Sequence, residues 1–152
     1  MIGPFKFLSS LKESIDKKFI STAHEVINLE IKALQKLKKS INKSFKEAVI
    51  KIARCQSKVI LCGVGKSGLI ASKIAATLAS VGTPSFNLAA SEASHGDLGM
   101  ISKNDILIII SNSGQTNELK NIIQFANRNK IFLIGIVSKK DSVLYKAADI
   151  NL

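Results

Sequence analysis

The stretch ISNSGQTNE, Ile110 to Glu118, follows directly on the apolar run ILIII. Ser111, Ser113 and Thr116 offer hydroxyls, Asn112 can orient the loop, and Gly114 and Gln115 complete a turn expected to free backbone N–H groups just before a helix. Such a nest suits a phosphate monoester, because first-turn donors and the helix dipole both favour an anion. The plainer reading is a helix cap, but one cap does not require four polar residues and a glycine.

A second corner is LCGVGKSG, where Gly63, Gly65 and Gly68 match GxGxxG after an apolar strand and at the opening of a helix. The spacing provides a tight turn and close approach of a ligand. A nicotinamide enzyme would carry an acidic residue about 20 positions on; this sequence has Asn87 and Leu88 there. A Walker A loop would place a glycine where Ile60 stands. What remains is Lys66, flanked by Gly65 and Ser67, as an anion contact, with a solvated surface lysine as the alternative. The third corner, SEASHGDLG, holds Glu92, His95 and Asp97. His95 and Glu118 are the two residues placed for acid–base work, Glu118 because a carboxylate in a helix's first turn stays ionised. No spacing of metal ligands is present, and no cofactor or metal is expected.

These corners need a frame that turns strands into helices at one edge. KVILCG, TPSFNLA, NDILIIIS, IFLIGIVS and the final ADINL read as strands, alternating with the helical patterns GKSGLIASKIAATLASVG, TNELKNIIQFANRNK and SVLYKAAD. Near-continuous apolar strands between helices signal an α/β fold with a parallel sheet covered by helices. Residues 1–57 read as a helical segment whose apolar faces must cover the sheet or a partner subunit, and 58–152 as the α/β part. Within the segment, Ser21 precedes a run in which Val26, Ile27, Ile31, Leu34 and Leu37 recur at helical spacing. Ile41, Phe45, Val49 and Ile52 mark a second helix.

The formal charge of +11 raises nucleic acid as a partner, but only two of the 22 basic residues are Arg and aromatics make up 5%. Phosphate and base readout lean on Arg, so neither nucleic acid nor membrane is expected as a partner. Cys55 and Cys62 form no metal or disulfide framework, and both read as structural. No apolar stretch reaches membrane-spanning length, and the start of the chain lacks a secretory pattern, so a cytoplasmic protein is expected.

The segments GVGKSGLIASKIAATLASVGTPSF, ASHGDLGMI and ISNSGQTNEL together resemble the sugar isomerase (SIS) domain, in its arabinose-5-phosphate isomerase branch. The resemblance implies a three-layer α/β/α sandwich and a homo-oligomer, dimer or tetramer. It implies interconversion of D-ribulose 5-phosphate and D-arabinose 5-phosphate through an enediol, a step that feeds lipopolysaccharide synthesis. It further implies that Ser111–Thr116 clasps the phosphate, that Lys66 assists catalysis and that His95 contacts the sugar. Glu118 would join the catalytic group, with Gly82 and Thr83 lining the substrate. Members continue with a second glutamate, a further histidine and a pair of CBS domains, none of which follows Leu152, and many carry a histidine where this chain has Ala89. The chain therefore reads as truncated. A catalytically silent sugar-phosphate binder and an inactive remnant stand as alternatives to an enzyme.

Overall fold

The computed structural model describes residues 4–93 and 96–152, with side chains from residue 16 onward. These fall into two units, one ending at Asn42 and the other running from Lys43 to Leu152. The first is helix α1, Pro4–Ser40. Its length exceeds the expected start near Ser21, because no glycine or proline interrupts residues 5–40. Ser21 sits inside the helix, where its hydroxyl lies 3.4 Å from Glu25 Oε1 one turn on. Among the described residues, no helix is long and apolar enough to cross a membrane.

The second unit begins with α2, Lys43–Ala53, and contains the sheet. Its strands are β1 Val59–Gly63, β2 Ser85–Ala89, β3 Ile106–Ser111, β4 Phe132–Val137 and β5 Ile150–Asn151. All pairings are parallel, in the order β2-β1-β3-β4-β5. The connecting helices are α3 Lys66–Ser80, α4 Ala90–Ala93, α5 Asn117–Asn129 and α6 Val143–Ala147, with a 3₁₀ turn at Asp97–Met100.

Side-chain alternation along each strand divides the core into two layers. Val59, Leu61, Ile106, Ile108, Ile134 and Ile150 pack with Ala48 of α2 and Ala71 and Ala75 of α3. Ile60, Cys62, Leu107, Ile109 and Leu133 pack on the other face, with Leu119, Ile122 and Ala126 of α5 and Leu144 of α6. This three-layer α/β/α arrangement is why the central strands read as unbroken apolar runs: both faces are covered. At the amino edge, Asp105 (1% exposed) locks the start of β3. Its Oδ2 lies 2.9 Å from Lys58 Nζ and accepts the Ser102 N–H at 2.6 Å, while Oδ1 accepts from the Ser57 hydroxyl at 2.6 Å.

Candidate functional site

β1 and β3 are neighbours, but the chain leaves β1 for β2 on one side and then returns to β3 on the other. The connections after these two strands therefore diverge and open a crevice at the carboxyl edge, the place where α/β sheets bind ligands. Gly63 pairs with Ile110, which brings the turn before α3 level with the Ser111–Thr116 loop before α5. The hollow between them, about 280 Å³, is lined by Val64, Ser67, Ile110, Ser111, Asn112, Ser113 and Thr116.

The first wall exists because the strand-to-helix turn is glycine-built. A Cβ on Gly63 would fall 2.7 Å from the Ser67 carbonyl carbon, and one on Gly68 would fall 2.8 Å from the Gly63 oxygen. Both clashes are with backbone, so only glycine lets α3 approach β1 this closely. Gly65, at φ 58°, caps α3. Lys66 and Ser67 then stand in the first turn, with Lys66 exposed.

The second wall is organised from within. Ser111 is 5% exposed, and its hydroxyl accepts the Gly114 N–H at 3.0 Å and lies 3.5 Å from Thr116 Oγ1. Ser113 Oγ accepts the Gln115 N–H at 3.4 Å. The Gly114 turn therefore does not leave these two N–H groups free, as the sequence reading expected; neighbouring hydroxyls hold them. The open donors lie one step further on. Thr116 caps α5 without a side-chain bond to its first turn; the Leu119 N–H turns back to the Thr116 carbonyl at 3.1 Å, and the two N–H groups before it have no partner within the helix. Glu118 sits in that turn, exposed to solvent.

The loop also rests on a residue that sequence reasoning missed. Ser142, fully buried, caps α6 by accepting the Tyr145 N–H at 3.2 Å, and it packs against the Cα of Gly114. The Leu144 N–H donates to the Gly114 carbonyl at 3.1 Å. The only sequence signal was an ordinary one, a serine ahead of a short helix.

The structure thus brings Gly65, Lys66, Ser67, Ser111, Asn112, Ser113, Gly114, Gln115, Thr116 and Glu118 to one edge. It does not bring Gly82 and Thr83 there. α3 runs back against the strand direction, so these two residues follow its end and precede β2, where Pro84 O accepts the Val59 N–H at 2.8 Å at the amino edge. His95 lies outside the described residues. Among the described residues, no three His, Cys, Asp or Glu side chains converge as a metal site. Burial pushes the Cys62 thiol up to about 12, only partly offset by the Gly63 backbone, so it is no nucleophile at neutral pH.

Residues 52–152 match the model of the SIS domain. The chain is 48% identical over 134 residues to arabinose 5-phosphate isomerase KdsD of Yersinia pestis, covering 88% of this chain and 41% of that protein. It therefore spans about two fifths of the length of the curated relatives it matches. A protein from E. coli CFT073, solved in complex with arabinose 5-phosphate, superposes with a TM-score of 0.83 at 38% identity, covering 89% of this chain and 72% of that one. The NanR protein of Vibrio vulnificus, complexed with ManNAc-6P, superposes with a TM-score of 0.73 at 21% identity over 97% of this chain and 55% of that one. At that identity the likeness is of fold alone. The match over the sheet and its connections, together with the 38%-identical structure, shows that the chain belongs to the SIS domain family.

Proposed function

We propose that the carboxyl-edge hollow holds the phosphate of a pentose phosphate, and that the chain carries the substrate-binding part of an arabinose-5-phosphate isomerase. The observation that carries this reading is the meeting of Ser67 with Ser111, Ser113 and Thr116 at the crevice between β1 and β3, beside the start of α5. The hollow is small enough to take the phosphate while the sugar extends past it. The activity of the Yersinia pestis relative and the ligand bound by the E. coli CFT073 protein support the choice of sugar.

Conversion of the aldose to the ketose moves the C2 hydrogen to C1 and a hydroxyl proton from O2 to O1, through an enediol, with no net redox change. In this proposal Glu118 takes and returns the carbon-bound proton, and Lys66 stabilises the enediolate oxygen. His95 contacts the sugar. Phosphate anchoring supplies the orientation these steps require. The exposed Val26, Ile27, Ile31, Leu34 and Leu37 of α1 support self-association, which light scattering on the purified chain would measure.

Thermal unfolding with millimolar arabinose 5-phosphate, ribose 5-phosphate or inorganic phosphate tests the site, since a ligand of the folded state raises the midpoint. The expected result is an upward shift, largest for arabinose 5-phosphate and lost in Ser113→Ala. A cooperative transition indifferent to all three would refute the site. Binding without turnover in an isomerase assay would leave a sugar-phosphate binder and remove the catalytic roles.

A further inference from the structure

We infer that the amino edge of the sheet carries a second anion site, for a ligand with two or more phosphate groups. A cavity of about 960 Å³ opens there, at the far edge of the sheet from the clasp. Lys51 and Arg54 reach it from the end of α2, Lys103 from the loop before β3, and Lys130 from the link between α5 and β4. Three separate connections thus place four cations around one space.

None of the four has an ion-pair partner among the described residues, whereas the carboxylates nearby are mostly answered. Glu47 lies 3.5 Å from Lys43, and Asp105 lies 2.9 Å from Lys58. Asp149 remains, its Oδ2 accepting the Leu133 N–H at 2.8 Å. The carboxyl ends of α2 and α5 also face this edge, each contributing about half a negative charge. Four cations against one carboxylate and two helix ends still leave the cavity at about +2. The Lys51 ammonium lies 4.3 Å from the centre of the Phe132 ring, a cation–π contact.

Lys130 adds an independent observation. At φ 54° it is the one non-glycine residue with positive φ among the described residues. Glycine or asparagine holds such a helix end with less strain, and the lysine instead sets an ammonium at the mouth of the cavity. The number of phosphates follows from size. The cavity is more than three times the clasp hollow and lies at the upper end of the range for small-molecule sites, with room for more than one phosphate group.

Calorimetric titration of the full chain with inorganic tripolyphosphate, and in parallel with ATP, tests the inference. The two probes separate recognition of the phosphates alone from recognition that includes an organic body. Arg54→Gln/Lys103→Gln should weaken binding about tenfold, and Lys130→Gly should weaken it while leaving the melting midpoint unchanged or higher. In the Ser113→Ala background, which silences the clasp, tripolyphosphate should still bind. An equal loss in Lys73→Gln/Lys146→Gln, two exposed lysines outside the cavity, would overturn the inference by showing that net charge alone binds the anion. No binding in the Ser113→Ala background, or none in the parent at low salt, would overturn it as well.

Discussion

Replacing Gly114 with alanine should unfold the clasp from behind, not from its ligand face. Two terms combine at this position. The backbone sits at φ 63°, where a side chain costs about 1–2 kcal/mol. The added Cβ would also fall 2.6 Å from Ser142 Cβ and 2.8 Å from Val137 Cγ2, and closer still to Ser142 Oγ. Ser142 is fully buried and has no room to retreat; overpacking of this kind costs about 1–3 kcal/mol. Gly82 is the internal control, because it follows α3 at φ 91° with nothing within 4 Å of its Cβ position. Gly114→Ala should therefore melt below Gly82→Ala by about 3–15 °C, taking about 3–5 °C per kcal/mol for a domain of this size. Circular dichroism melts of both variants measure the difference. Adding Ser142→Gly removes two of the three contacts, so the double variant should recover much of the loss relative to Ser142→Gly alone. Equal midpoints for the two glycine variants, or no coupling between positions 114 and 142, would refute the account of how the loop is held.

The strand-to-helix approach makes a parallel prediction: Gly68→Ala, whose Cβ meets the Gly63 oxygen at 2.8 Å, should destabilise by about 3 kcal/mol, while Gly99→Ala, with open space, should be near neutral in urea unfolding. Burial raises the Asp105 carboxyl, but hydrogen bonds from Ser57, the Ser102 N–H and Lys58, with the Lys58 charge, outweigh it and hold the group below its ordinary value. Its stabilisation is thus full above the unfolded carboxylate value of about 3.9 and fades as pH falls through the lower folded value. The gap in urea midpoint between the parent and Asp105→Asn should be widest near neutrality and should close below about pH 4; a pH-independent gap would contradict the ion pair. With Cys55 replaced by serine, an aromatic disulfide reagent should find no reactive thiol in the native chain at pH 8 and one after unfolding, because Cys62 is buried and its thiol is pushed up to about 12.

The parallel sheet and its helices were legible in the sequence because their signals are local. Apolar runs such as ILIII, the glycines at 63, 65 and 68, and the polar burst at Ser111–Thr116 each lie within one strand-turn-helix unit. Those features determined the fold class and which polar loops follow the strands at one edge of the sheet. The length of α1 was less legible, since Ser21 with Glu25 imitates a helix start and the absence of a breaker upstream is a weaker signal. Only the tertiary structure decided which residues share an edge. It sent Gly82 and Thr83 to the opposite end of the sheet, because α3 runs back against its strands. It also occupied the Gly114 and Gln115 N–H groups with the loop's own hydroxyls, and set Ser142 behind Gly114. Asp105 with Lys58, and the four cations of the amino-edge cavity, come likewise from connections far apart in the chain. Propensity and periodicity act over a few residues, whereas these contacts join positions that only strand order brings together.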